Sequence, residues 1–260
     1  MLKSLQKAFK VKEVRDRLLY TFMMLVVIRI GCCLPIPGVD PSYLHDFFSN
    51  LQSSGMGFFN AITGGSFSSM SIFALSITPY ITSSIIMQLL TIAIPKLEEM
   101  QKDGEDGRKK IAEYTRYLTV GLALFESCAM AVGLGGKGLL LEDHRNVWGY
   151  LTVVAAMTAG SALLMWIGER ITDNGVGNGI SIVLLINIVS GTPQDMMTLY
   201  ERFMAGKSVA VATVACIIVL AIIIAIVVFV LILNDAERRI PVQYSKKMQG
   251  RRMIGGQSTY

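Results

Sequence analysis

The residue types that most often perform catalysis are few in this sequence, and they are scattered. The two histidines, His45 and His144, fall in polar loops away from any candidate nucleophile. A phosphate loop is excluded, because Gly206-Lys-Ser lacks the required glycine five residues earlier, where Glu201 stands instead. The four cysteines lie in apolar runs without a Cys-x-x-Cys pair, and we predict buried free thiols for all of them: Cys32, Cys33, Cys128 and Cys216. We therefore expect no enzymatic activity, no metal and no cofactor.

Glu126 is the most informative single charge, because it interrupts a long apolar run. An acidic side chain inside a membrane is costly and normally faces a bundle interior or water. Gln88 and Asn187, on other apolar runs, are candidate polar neighbours for it. The alternative is a solvated position near an interface. Arg29 has the same two interpretations, either a buried functional charge or a side chain that extends to the membrane surface.

Two pairs of branched apolar residues have helical spacing. Ile77 and Ile81 are four residues apart, and Ile180 and Leu184 repeat that spacing, so each pair shares a helix face. Residues of this kind on turns that face a pore can form an apolar constriction, which closes by excluding water. Ordinary contacts with lipid or with the protein core produce the same spacing, so the spacing leaves both interpretations open.

The composition is that of a membrane protein. Of the 260 residues, 52% are hydrophobic and 17% are charged, whereas soluble domains have about 45–50% apolar and about 25% charged residues. The apolar residues also form long runs, which predict an all-α, multi-span membrane helical bundle with about six transmembrane helices. The predicted spans are 18–34, 72–94, 117–134, 148–167, 180–189 and 209–233. The fifth is only about half a bilayer long, so it can span only if flanking residues are also helical.

Residues 61–95 combine a short apolar piece with a longer one. Residues 64–75 are rich in Gly and Ser and are too short to span a bilayer, which takes about 20 apolar residues. Residues 72–94 are long enough, but they contain Pro79. The pattern predicts a re-entrant half-helix followed by a proline-broken span. Because such backbone is tolerated in a membrane only where protein covers it or where it lines a cavity, we predict that this stretch lines and closes a pore.

The positive charges are strongly asymmetric. Of the 24 Lys and Arg residues, 19 fall on the side of the N-terminus and four on the opposite side, with Arg29 in the first span. This bias predicts a cytoplasmic N-terminus. Residues 1–17 are basic and amphipathic and are expected to lie on the membrane surface. The tail after residue 234 carries three pairs of cations, which either anchor the sixth span or form a docking loop for an acidic or RNA-bearing partner.

Several phrases are together highly specific: RIGCCLPIPGVD (29–40), GGSFSSMSIFALSITPYITSSIIMQLL (64–90), DGEDGRKKIAEYTRYLT (103–119), WIGERITDNGVGNGISIVLL (166–185) and AERRIPVQYSKKMQGRRMIGGQST (236–259). In these phrases the sequence resembles the SecY family, the channel subunit of the bacterial protein translocase. That family has ten spans arranged as two five-span halves around a pore. The resemblance implies a pore that lacks most of its second half, as in the front part of a longer protein.

The resemblance also implies a role for particular residues. A plug that stops the channel from the outer side matches residues 64–75, with the core Gly64, Gly65, Ser66, Phe67, Ser68, Ser69, Met70 and Ser71. An apolar pore ring matches Ile77, Ile81, Ile180 and Leu184, although the family often has Ile where Leu184 stands. The polar positions of a lateral gate match Gln88 and Glu126. A partner-docking surface of the family matches the basic residues Arg238, Arg239, Lys246, Lys247, Arg251 and Arg252.

The implied organisation has four parts: an amphipathic cytoplasmic N-terminus (1–17), a five-span half-pore (18–189), an outer loop with the sixth span (190–233), and a truncated basic cytoplasmic loop (234–260). The implied location is the bacterial cytoplasmic membrane. The implied partners are SecE and SecG-like subunits, the SecA motor ATPase, the ribosome, signal sequences and the translocating polypeptide. An alternative is half of an inverted-repeat secondary transporter, which would bind a small solute through convergent polar side chains.

Overall fold

A computed structural model describes residues 11–40, 60–135, 138, 140–141, 145–203, 205, 209–238, 242–243, 247–249, 252–254 and 258–259. Its helices are α1 (Lys12–Cys32), α2 (Thr78–Ala93), α3 (Pro95–Lys102), α4 (Glu105–Leu134), α5 (Val147–Asn174), α6 (Gly179–Phe203) and α7 (Val209–Asn234). Four short strands follow: β1 (Val242–Gln243), β2 (Lys247–Gln249), β3 (Arg252–Ile254) and β4 (Ser258–Thr259). The chain divides into two compact units, Met1–Gln194 and Asp195–Tyr260.

Three helices are long and apolar enough to cross a membrane: α5, α6 and residues Val211–Asn234 of α7. The pair α2 and α3 meets the same test only jointly, and its two helices are bent by 102° at their junction. Helix α1 covers the first predicted span as far as Cys32, and α4 encloses the third. On length and composition, however, the described helices provide three spans, or four with the bent pair. The count of six therefore stays a prediction.

The core of the first unit lies around the irregular segment that precedes α2. One apolar cluster surrounds Met70 and Leu75 and includes Ala131, Val153 and Met157. A second cluster surrounds Phe73 and Ile77 and takes its other buried members from α1, α5 and α6: Ile28, Cys32, Leu164, Ile167, Ile171 and Val183. By contrast, large apolar side chains such as Phe22, Phe125 and Leu151 are exposed on the outer helix faces. A lipid environment would cover such faces.

The second predicted span differs from the structure in where it breaks. Residues 72–77 form turns, and α2 begins only at Thr78, so Pro79 lies in the first turn, where its missing N–H costs nothing. The break falls instead between α2 and α3. Ile94 there is extended, with φ −110° and ψ 112°, because the ring of Pro95 disfavours a helical conformation for the residue before it. Helix α2 has 16 residues, which corresponds to about 24 Å.

The fifth predicted span is completed on its C-terminal side. Helix α6 has 25 residues and continues past Ser190, with Pro193 inside it. This is one of the two ways in which the short apolar run 180–189 can reach across a bilayer. Residues 190–203, which the sequence pattern assigns to an outer loop, are therefore helical.

The second unit contains α7 and the strand pairs of the tail. Strands β1 and β4 pair antiparallel, and so do β2 and β3, with Lys247 opposite Ile254 and Gln249 opposite Arg252. In sequence, the inner pair β2 and β3 lies between the two strands of the outer pair. The all-α prediction for the bundle did not include these short strands.

Candidate functional site

The four predicted ring residues belong to one apolar cluster. Ile77 is 1% exposed and is part of its buried core, together with Phe73, Ile171 and Val183. Ile81, Ile180 and Leu184 pack against that core while remaining partly exposed. The start of α2 and the start of α6 are thus brought together, although about one hundred residues separate them in the sequence. Partly exposed, branched apolar side chains on two neighbouring helix ends can form a constriction.

A tight turn between α5 and α6 places Ile180 and Leu184. The side-chain oxygen of Asn178 accepts hydrogen bonds from the backbone N–H groups of Ile180 (3.0 Å) and Ser181 (3.4 Å), which caps the helix. A Cβ on Gly179 would overlap the Gly168 carbonyl, so glycine permits the close approach of the two helices. The glycine-rich residues 175–179 therefore form the turn that opens α6.

Gly168 lies directly against two of the predicted ring residues. A Cβ on this glycine would be 2.6 Å from Cδ1 of Ile180 and 3.4 Å from Cδ1 of Ile77. The absence of a side chain on α5 therefore leaves the space in which these two isoleucines meet. Sequence reasoning did not single out Gly168, and its position two residues after Trp166 in an apolar run carries no distinctive signal.

The predicted plug lies inside the unit and is not a regular helix. From Thr63 to Ile77 the chain forms successive turns joined by short-range hydrogen bonds, for example from Met70 N–H to the Phe67 carbonyl at 3.1 Å. Positive φ angles at Gly64, Gly65, Met70 and Ser76 interrupt helical continuity. The expected half-helix is thus replaced by turns, in which Ser66, Phe67, Met70 and Ser71 are each at most 4% exposed, whereas Ser69 is exposed.

The chain segment that follows α1 holds the plug from one side. The Ile36 N–H donates to the Met70 carbonyl, and the Ile72 N–H donates to the Leu34 carbonyl, both at 3.0 Å. These two bonds flank an isolated β-bridge between Pro35 and Ser71. Within the turns, the Ser68 N–H donates to the side-chain oxygen of Asn60 at 3.0 Å. Residues 60–77, which contain the predicted plug, are therefore fastened by backbone hydrogen bonds to the segment just after the first span.

The two predicted gate residues, Gln88 and Glu126, lie at different heights. Gln88 lines a cavity of about 230 Å³ with Tyr80, Thr91, Arg108 and Thr115, between α2, α3 and α4. Glu126 is on α4, eleven residues beyond Thr115, which corresponds to about 16 Å along the helix. Asn187 donates instead to Ser76. Gln88, Glu126 and Asn187, the candidate polar cluster of the sequence analysis, are thus not brought together. A solute site made from these three residues would lack convergent groups.

A polar connection that the sequence did not indicate links α1, α6 and the plug. Arg29 Nη1 donates to Ser190 Oγ at 2.8 Å, and Ser190 Oγ donates to the Asn187 carbonyl at 2.6 Å. Arg29 is therefore bonded to α6 while its side chain remains partly exposed. Ser76, the partner of the Asn187 side chain, was missed because a single serine in an apolar run resembles any small core residue.

Outside the predicted spans, Arg116 of α4 and Glu169 of α5 form an ion pair, with Nε 2.8 Å from Oε1. The hydrogen bond to the carboxylate raises the pKa of the Arg116 guanidinium above its usual value. Of the predicted docking residues, Arg238 follows α7, and Lys247 and Arg252 lie in β2 and β3. Arg239, Lys246 and Arg251 lie outside the described residues, as do residues 1–10 of the amphipathic N-terminus.

Apolar helices of membrane-spanning length around a buried, irregular re-entrant segment define a polytopic α-helical membrane protein.

The family model described as SecY matches residues 71–260. The chain is 42% identical over 271 residues to the protein translocase subunit SecY of Streptomyces scabiei, covering 100% of this chain and 61% of that protein. It is 41% identical over 253 residues to the Escherichia coli K12 protein of the same name, covering 95% and 56%. The chain belongs to the SecY family.

The chain spans about 60% of the length of the curated relatives that it matches. Among solved structures, a protein-conducting channel is 18% identical, with a TM-score of 0.48, and the match covers 94% of this chain and 52% of the channel. Sec61 in the canine ribosome–channel complex from the endoplasmic reticulum is 19% identical, also with a TM-score of 0.48, and that match covers 88% and 49%.

Proposed function

We propose that this chain is the front part of a protein-conducting channel subunit, which moves unfolded polypeptides across the bacterial cytoplasmic membrane and releases membrane segments sideways into it. The observation that supports this most is the meeting of Ile77, Ile81, Ile180 and Leu184 in one apolar cluster beside the buried segment 63–77. Membership of a family whose members are named translocase subunits supports the same conclusion. The N-terminus is cytoplasmic in this proposal, as the positive charges indicate.

An apolar ring suits the passage of polypeptides for a physical reason. It offers no fixed charge and no hydrogen bond that would hold a particular sequence, so a varied chain can slide through it. When empty, a narrow apolar ring excludes water and blocks ions. In the proposed role, the segment 64–75 closes the channel from the outer side, and α2 and α4, with Gln88 and Glu126, form one wall of a lateral gate.

Replacing the ring residues by serine should make the completed protein leak ions. Polar side chains at Ile77, Ile81, Ile180 and Leu184 would let water and ions wet the constriction, so planar-bilayer conductance should rise in the absence of a substrate. Leu185→Ser is the matched control for Leu184→Ser, because Leu185 is 59% exposed and is rotated about 100° from Leu184 on the same helix. Equal conductance of wild type and ring variants would refute the assignment.

The implied partners are SecE and SecG-like subunits within the membrane and SecA or the ribosome at the cytoplasmic face. The basic tail supports a partner of opposite charge, because its three cation pairs extend beyond the last residue of α7, Asn234. Energy for transport would then come from that partner. The solute-transporter alternative is not favoured, since Gln88 and Glu126 lie at different heights and the cluster at the centre is apolar.

A further inference from the structure

Ser76 is a buried serine in an unfavourable backbone conformation, immediately before the ring residue Ile77. Its φ is +53°, and it is 0% exposed. For a residue with a Cβ this left-handed region is disfavoured by contact between the side chain and its own backbone. Such a conformation persists only where the surroundings stabilise it. The contacts of Ser76 therefore show what holds this turn in place.

Two helices hold Ser76 through two different groups. From α6, Nδ2 of Asn187 donates to Ser76 Oγ at 3.1 Å. From α5, Ser161 Oγ donates to the Ser76 carbonyl at 3.1 Å. Asn187 and Ser161 are themselves buried, at 1% and 2% exposure. Hydrogen bonds between buried polar groups are costly to leave unmade, so this pair of bonds can offset the backbone strain.

Asn187 also contacts the other end of the same segment. A Cβ on Gly64 would be 2.8 Å from the Asn187 carbonyl oxygen and 3.0 Å from its Cα, so the start of the plug lies against the backbone of α6 at this residue. The Asn187 carbonyl in turn accepts from Ser190, which accepts from Arg29 of α1. One residue of α6 thus contacts both ends of residues 64–76 and is itself connected to the first helix.

We propose that Asn187, Ser76 and Ser161 form a reversible polar latch that holds the segment 64–76 in its closed position. The latch would be broken whenever the segment leaves the bundle. Oδ1 of Asn187 is buried without a hydrogen-bond partner among the described residues, so the closed amide is only half satisfied. Release into a water-filled pore would hydrate it, which makes opening less costly than breaking a fully satisfied bond. The role in channel closure rests on the proposed function, but the latch itself does not.

Cys32 provides a direct readout of segment position in the completed protein. It is 5% exposed, packs with Phe73 and faces Ser66. With every other cysteine replaced by serine, the rate at which N-ethylmaleimide labels Cys32 would report displacement of the segment. The test compares this rate between latch variants in the same membrane preparation.

The expected results form a cycle. Asn187→Ala removes the bond but leaves Ser76 strained, so labelling should accelerate about tenfold. Ser76→Ala should do the same, and the double variant S76A/N187A should be no faster than either single variant. The labelling rate of the combination S76G/N187A should return to within about threefold of wild type, because glycine adopts φ +53° without strain.

Ser127→Ala is the control, since it removes a hydrogen bond of 2.9 Å to Thr158 that does not touch the segment.

Two outcomes would overturn the latch: an unchanged labelling rate in both N187A and S76A, or labelling of S76G/N187A as fast as that of N187A. The second would mean that Asn187 acts only by filling space. If the ring variants leave ion conductance unchanged while N187A accelerates labelling, the proposed function fails and the latch stands. If the ring variants leak and the labelling rates do not change, the latch alone fails.

Discussion

Glycines set the distances at which backbones approach one another in this molecule. On α5, Gly160 lies where a Cβ would overlap the carbonyl of Ile72, and Gly168 lies beneath Ile77 and Ile180. At the start of α6, Gly179 lies against the Gly168 carbonyl. All three contacts surround the turns that lead into the proposed ring. Helix α5 therefore leaves space at two heights. Gly160 leaves room for the predicted plug segment, and Gly168 leaves room for the proposed ring.

Gly160→Ala should destabilise the protein, because the added methyl group would meet a backbone carbonyl, which cannot rotate away as a side chain can. Overpacking of this kind costs about 1–3 kcal/mol. The thermal midpoint in detergent should fall, and Cys32 should become easier to label, since Ile72 belongs to the displaced segment.

Gly121→Ala on α4 is the matched control for this substitution. A Cβ there meets nothing within 4 Å, and alanine is favoured over glycine in a helix interior by about 1 kcal/mol. We expect an unchanged or higher midpoint. If both variants lowered the midpoint equally, the close contact between Gly160 and Ile72 would not be the cause.

At the scale of elements, α4 and α5 form the frame against which the other parts pack. They are joined by the bond between Ser127 and Thr158 and by the ion pair between Arg116 and Glu169. The segment predicted to be the plug forms turns beside this frame and no regular helix. Positive φ at Gly64, Gly65, Met70 and Ser76 breaks helical continuity, and hydrogen bonds to residues 34 and 36 replace the helical ones. Hydrogen bonds to the segment after α1 therefore accompany the non-helical conformation of residues whose own sequence is compatible with a helix.

The ion pair between Arg116 and Glu169 should stabilise the α4–α5 frame by less than about 1 kcal/mol, because both side chains keep contact with solvent, at 49% and 23% exposure. A double-mutant cycle with Arg116→Gln and Glu169→Gln, measured by chemical denaturation in detergent, should give a coupling of this size that shrinks with added salt. The exposed pair Lys102–Glu98 serves as a comparison and should give less. A coupling that does not respond to salt would contradict this explanation.

At the scale of the whole molecule, the positive charges are distributed asymmetrically along the sequence. The cations of the predicted cytoplasmic side include six in the tail beyond α7. In the tail, β1 pairs with β4 and β2 pairs with β3. The described docking residues Lys247 and Arg252 therefore lie on adjacent strands of one pair.

Charge reversal in the tail should weaken binding of the completed protein to ribosomes. Replacing Lys246, Lys247, Arg251 and Arg252 by glutamate removes cations that would bind phosphate groups, so the salt dependence of binding should flatten by about one unit of slope for each cation–phosphate pair removed. Co-sedimentation at several salt concentrations measures this. Lys109→Glu with Lys110→Glu on α4 is the control, and an equal weakening there would show that net charge, not the tail, determines binding.

The membrane class and the apolar runs could be predicted from the sequence, because run length is a property that adds along the chain and needs no partner. The orientation that the charge bias indicates stays a prediction. Helix capping at Asn178 is similarly local. The same reasoning could not determine whether the short run 180–189 continues as a helix, since residues beyond Ser190 are polar enough to form either a loop or a helix.

Which polar groups meet was decided only by the tertiary structure. Ser76 is hydrogen-bonded to Asn187 across 111 residues and to Ser161 across 85 residues. Nothing in the local sequence of these residues marks them as partners. Arg29 is bonded to Ser190 across 161 residues, a partner that its local sequence does not indicate. Burial makes the hydrogen bonds obligatory, but only the packing of α1, α5 and α6 around one irregular segment selects the groups that satisfy one another.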